Sequence, residues 1–433
     1  MNCDLIIKGK YVLPMNEKMS VIEDGAVVVV DNIIKEVGLS KDIEQKFVVK
    51  KVIDVGFGIV MPGMINTHTH SAMAYFRGLA DDLPLHDWLE KHIWPTEAEY
   101  IQSEFVKEST ELACLEMIRA GVTCFNDMYF FEEETGEMAE KAGMRAVLGE
   151  TVLDFPTPSA KEANETFDKT FFQLDKFKNS DLVKIALAPH AIYTCGQKSL
   201  ERVKKEAEER KLLIHIHISE TKKEVDDCIE KNGMSPVEYL DKIGLLTERT
   251  IAAHSVWLSD KDLDIYEERG VKVSHCPLSN MKLASGVTVL PKMIEKGIVV
   301  GLGTDSVASN NTLDLFSDMR ACAMIHKVNN LEPTLVSAKE VVRMATIDGA
   351  KVLGLDKEIG SLEAGKKADI ITIDLNKPHL VPIHNPYSHL VYCVGSEDVN
   401  DVIVDGKVLM RDRGVKTINE KEVLQKAKEF QIK

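Results

Sequence analysis

A chain of 433 residues, 44% apolar and 28% charged, is long enough for one large barrel with an appended domain and has the composition of an ordinary globular protein. Its formal charge of −16 comes from acidic residues spread along the sequence, which argues against nucleic acid or an anionic membrane as the main partner. Eight scattered cysteines without a Cys-x-x-Cys pair speak against a disulfide framework or a thiolate zinc knuckle. With no signal-like start and no run of ~18 apolar residues, a cytoplasmic protein without a membrane span is expected.

In chain order, residues 1–58 carry short strand pairs with turns at Lys8-Gly-Lys, Glu23-Asp-Gly and Val30-Asp-Asn. From residue 59 to 358, short apolar strands alternate with longer amphipathic segments such as Glu104 to Ala120 and Leu200 to Lys211. Strands are expected over 59–68, 121–127, 145–153, 183–190, 212–218, 250–257, 271–276 and 298–304. Eight strands with helical crossovers predict an α/β fold, a parallel sheet closed into a (β/α)8 TIM-type barrel; an open doubly wound sheet is the alternative. Residues 359–433 return to the antiparallel texture of the start, as in Ala368-Asp-Ile-Ile-Thr-Ile-Asp, before a helical stretch from Asn419 to Phe430. The two ends are therefore expected to form one small β-sandwich beside the barrel.

Active sites of such barrels lie at the carboxyl ends of the strands. There the first strand offers His68 and His70, whose spacing of two aims both imidazoles from one face. Strand five ends in His215-Ile-His-Ile-Ser-Glu220, strand six in His254 and strand eight in Asp305. Three nitrogens from His68, His70 and His217, one oxygen from Asp305 and a water make an open, hydrolytic metal site. A bound divalent metal lowers the pKa of its water to about 7. Glu220, three residues past His217, is placed to ferry protons, and His254 and Asp305 to orient and deprotonate the nucleophile.

His215 reads as barrel core one layer deeper, and His275 as a packing or supporting residue. His86, His92, His326, His379, His384 and His389 lie off the strand ends and read as surface or structural. Gly360-Ser-Leu-Glu-Ala-Gly-Lys-Lys367 nearly spells a phosphate-binding loop but ends in Lys and precedes a strand. Strand four, Ala186-Leu-Ala-Pro-His190, has no lysine to bridge a metal pair, so one metal is expected. Zinc is the first choice, with iron, manganese and nickel compatible with the same donors.

Pro62-Gly-Met-Ile-Asn-Thr-His-Thr-His70, His217-Ile-Ser-Glu220, His275-Cys-Pro-Leu-Ser-Asn280 and Gly303-Thr-Asp-Ser-Val-Ala-Ser-Asn-Asn311 resemble the amidohydrolase superfamily. Within it the chain looks most like the branch of 5-methylthioadenosine/S-adenosylhomocysteine deaminases, from about Leu5 to about Arg413. The resemblance implies one zinc on His68, His70, His217 and Asp305, an acid/base role for Glu220, and His254 beside it. It further implies that Glu97 contacts the ribose hydroxyls and His190 the purine of a small nucleoside substrate, in an enzyme that often assembles as a homo-oligomer. The implied reaction is hydrolytic deamination of an adenine nucleoside to the inosine analogue and ammonia.

The alternatives are the same chemistry on guanine or a triazine, and a silent scaffolding barrel, against which the retained ligand set speaks. Many members of the branch carry an arginine just after strand three. Leu148-Gly-Glu-Thr-Val-Leu-Asp154 has none and Arg145 sits at the strand's start, which favours methylthioadenosine or adenosine over the homocysteine thioether.

Overall fold

The computed structural model describes residues 1–432, with His86 described through its backbone alone, so the expectation for that side chain lies outside the described residues. Eight parallel strands run through the middle of the chain: Met64–Thr69, Val122–Tyr129, Arg145–Val152, the broken pair Val183–Ile185 and Ala188–Pro189, Ile214–Ile218, Thr250–His254, Lys272–His275 and Val300–Leu302. They pair in sequence order as two half-sheets. Parallel bridges Leu187↔Ile214 and Thr69↔Asp305 join the halves, closing the expected barrel. Closure falls on the site itself, because the Asp305 backbone N–H donates to the His68 carbonyl at 2.9 Å.

The single strand expected over 59–68 is in fact two strands in different sheets. Gly58–Pro62 pairs with Asn2–Val12 and Ile370–Asp374 in the small sheet, and only Met64–Thr69 enters the barrel. Gly63 makes the break: a Cβ there would lie 2.2 Å from the Thr123 side chain, so only glycine lets the strands approach this closely. The apolar, β-branched run continues through both strands, which hid the change of sheet from a reading by periodicity.

The two chain ends build one nine-stranded sheet, with Leu5, Ile7, Val27, Val29, Ile370 and Ile403 meeting in a shared core. Arg145, at the amino end of its strand, fastens this sheet to the barrel. Its Nε and Nη2 donate to the two Asp369 oxygens at 2.7 and 3.1 Å, and Nη2 also reaches Asp405 at 3.0 Å. Arg145→Ala strands the buried Asp369 carboxylate, while Asp405 keeps Lys367 and Asn32, and is expected to cost about 3–5 kcal/mol in urea unfolding. Stability within about 1 kcal/mol of wild type would show the cluster to be dispensable.

All eight cysteines are free. Among the described residues no helix is long and apolar enough to cross a membrane.

Candidate active site

The strand ends turn sharply inward at the functional positions. Ser219, His254 and Asp305 all have left-handed backbones, with φ of 53°, 67° and 62°. None is glycine, and such strain in non-glycine residues gathers where the surrounding structure needs a side chain re-aimed.

The structure brings the four expected ligands together. Asp305 Oδ1 stands 3.2 Å from both His68 Nε2 and His70 Nε2, and His217 Nε2 stands 3.2 Å from His68 Nε2. The outer nitrogens are all held from behind. His70 Nδ1 donates to the Met128 carbonyl at 2.6 Å and His217 Nδ1 to the His190 carbonyl at 2.8 Å, which turns each Nε2 inward. His68 Nδ1 meets His215 Nε2 at 2.8 Å, so His215, one layer deeper as expected, backs the ligand from the barrel core.

A divalent cation fits this donor set. Where both nitrogens present lone pairs, imidazoles 3.2 Å apart repel, and a cation between them removes that repulsion. Ligands about 2.0–2.1 Å from a tetrahedral zinc stand about 3.3 Å apart, close to the spacing found. Burial keeps His68 neutral by pulling it down to about 4, and holds His217 well below the usual histidine range. Burial opposes the charge on His70 too, but Asp305 and Asp127 outweigh it and lift His70 to about 9. Asp305 is likewise pushed up by burial and, more strongly, held down by His68 and His70, ending well below the ordinary carboxylate range. A proton on His70 thus answers Asp305 until a cation displaces it.

Glu220 and His254 sit beside the ligands, with Glu220 Oε2 3.8 Å from His254 Nε2. The Asn280 side-chain oxygen accepts from His254 Nδ1 at 2.9 Å, so Nε2 is the nitrogen turned to the cavity. Glu224 receives the Ser219 and Glu220 backbone N–H groups at 2.9 and 2.8 Å and fixes the turn that presents Glu220. Burial raises the Glu220 carboxyl above its ordinary value, the behaviour required of a proton donor near neutral pH.

Glu97 and His190 line the same cavity as the cradle and Glu220. The Tyr129 hydroxyl donates to Glu97 at 2.7 Å, and burial lifts that carboxyl to about 7. Burial also pulls His190 down to about 3, and its Nδ1 lies 2.9 Å from the Thr194 hydroxyl. Glu97 stands on a helical segment, Leu85–Tyr100, interrupted by a π-turn over Leu89–Ile93. A regular α-helix swings a row of residues spaced by four through about 40° per step. The wider π-turn takes up part of that swing, so Leu85, Leu89, Ile93 and Glu97 all face the cavity.

Several partners escaped the sequence reading. Asp127 accepts from the Ser71 N–H and the Ser71 hydroxyl, both at 2.7 Å, and from the Thr69 hydroxyl, clamping both neighbours of His70. Ser279 and Ser309 hydroxyls hold the second Asp305 oxygen at 2.6 and 2.8 Å. His326 is buried and structural, its Nε2 3.1 Å from His275 Nε2.

A closed parallel barrel with a histidine–aspartate cradle and a buried glutamate beside it at the carboxyl rim is the architecture of a metal-dependent hydrolase. The chain belongs to the amidohydrolase family, whose model matches residues 59–409. It is 47% identical to the 5-methylthioadenosine/S-adenosylhomocysteine deaminase of Thermodesulfovibrio yellowstonii, over 98% of this chain and 97% of the relative. It is 45% identical to the 5′-deoxyadenosine deaminase of Methanosarcina mazei, over 98% and 96%. A solved adenosine deaminase from Xanthomonas campestris with bound zinc superposes with a TM-score of 0.97 at 38% identity, covering 99% and 97% of the two chains. The expected likeness to the deaminase branch therefore holds, and the protein is a hydrolase of carbon–nitrogen bonds.

Proposed function

We propose that this protein hydrolyses the 6-amino group of adenine nucleosides, releasing ammonia and the inosine analogue. The observation that carries the reading is the cradle of His68, His70, His217 and Asp305 beside a buried Glu220 in one cavity. Relatives named for deaminating 5-methylthioadenosine or 5′-deoxyadenosine support the substrate class. A divalent cation in the cradle, zinc in this reading, supplies Lewis acidity that activates water for attack at purine C6.

Glu220 hands its proton to purine N1, which makes C6 electrophilic. Asp305 takes one proton of the attacking water, while His254 Nε2 accepts a hydrogen bond from that water and orients it. The bond from C6 to the amine then breaks. One water proton leaves with ammonia, and the second restores Glu220. His190 holds the purine and Glu97 accepts from the ribose hydroxyls, fixing C6 against the nucleophile.

Adenosine, methylthioadenosine, S-adenosylhomocysteine and guanine, followed by ultraviolet absorbance and ammonia release, test the reading. Turnover of guanine with none of the three nucleosides would overturn it.

Glu97→Ala is expected to raise the KM of ribonucleosides by at least ~10-fold, the scale of a lost hydrogen bond to a charged group, with little effect on free adenine. The sign of the pH dependence follows from the raised carboxyl. As pH falls through about 7, Glu97 takes up a proton and can no longer accept from both hydroxyls, so wild-type KM rises. The rise should vanish in Glu97→Gln; its persistence would assign it to another group.

A further inference from the structure

The cavity has a polar floor and an apolar outer wall. Leu85, Trp88, Leu89, Ile93 and Trp94 form the wall from the helical segment, and Leu153 joins them from the end of the third barrel strand. A second compartment continues past Trp94 and Leu153 to Phe155 and Pro156. Among the described residues lining either space there is no lysine or arginine, and the carboxyl groups that reach them are Glu97, Glu220 and Asp305.

Basic groups near the rim are engaged elsewhere. Lys282, next to the lining residue Leu283, donates to Asp81 and Asn311. Arg145 is bound at the opposite end of its strand. The wall's one buried side-chain donor without a protein partner is the Trp88 indole N–H, which is neutral.

With the purine on the floor and the ribose at Glu97, the 5′ end of the nucleoside meets this wall. We propose that the wall selects a small, neutral, apolar 5′-substituent, the methyl of 5′-deoxyadenosine or a methylthio group, against one ending in an amino-acid zwitterion. The inference rests on the nucleoside reading above. A methyl or thioether gains from leaving water for Trp88, Trp94 and Leu153. A carboxylate entering the same space sheds its hydration and finds no lysine or arginine among the residues that line it.

The test is kcat/KM of the zinc-loaded full chain for 5′-deoxyadenosine, methylthioadenosine and S-adenosylhomocysteine. The first two are expected to exceed the third by at least ~10-fold, the scale on which a site built for one group rejects another. A smaller ratio overturns the inference. Calorimetry with the two inosine products, methylthioinosine and S-inosylhomocysteine, should show the same order, so that slow chemistry is not mistaken for weak binding.

Phe155 is 39% exposed, so Phe155→Arg can place a cation beside the outer compartment without burying it. That variant is expected to narrow the ratio by about threefold or more, the strength of a partly exposed ion pair, through the KM of S-adenosylhomocysteine. An unchanged ratio would place the tail elsewhere and overturn the assignment of the wall. If no adenosine derivative is deaminated, the function itself fails. Deamination of all three at equal efficiency removes only the selectivity.

Discussion

Glu220→Gln is expected to keep its metal and lose at least ~100-fold in kcat, the usual scale for a missing acid/base group. The substitution preserves volume and the backbone contacts of Glu220 to Glu224, so the turn after the fifth barrel strand stays in place. None of the convergent ligand atoms belongs to Glu220, whose nearest imidazole partner is His254 Nε2 at 3.8 Å. What disappears is a carboxylic acid able to give a proton to N1 and receive one back.

The pH profile adds a second signature. Because burial raises the Glu220 carboxyl, activity that needs its protonated form falls as pH rises through that raised value, and the amide variant should lack this limb. Metal analysis and steady-state absorbance check both points. A variant that holds zinc and turns over within about tenfold of wild type would remove Glu220 from the proton path.

The barrel and the side chains that converge at its rim were legible because both are written in local spacing. Short apolar strands at regular intervals give the parallel sheet, and His68-x-His70 and His217-x-x-Glu220 give the rim. What could not be read depends on residues far apart in the chain. Asn280 lies 26 residues from the His254 it orients, and Tyr129 lies 32 from Glu97. No periodicity marks such pairs.

The π-turn at Leu89–Ile93 was equally hidden. It is a local change of helical pitch with no glycine or proline inside it, and its effect is visible only once the cavity is present. The left-handed backbones at His254 and Asp305 also escaped, since sequence signals for positive φ rest on glycine and asparagine. These misses fall at the site because there local preference yields to geometry that other strands impose.

Asp305→Asn separates holding the ion from moving the proton. Asparagine tolerates the left-handed backbone at this position, so the bridge to Thr69 that closes the barrel survives and thermal stability should change little. The charge does not survive. A carboxylate held well below its ordinary pKa by two imidazoles is replaced by an amide that cannot balance a divalent cation. The variant is expected to bind zinc more weakly and to lose ~1,000-fold or more in kcat, within the range for a lost general base. Saturating zinc should refill the site, read by metal analysis, while turnover stays down, because the group that accepts the water's proton is absent. Recovery of wild-type turnover at full zinc occupancy would reduce Asp305 to a ligand and move the first proton transfer to His254.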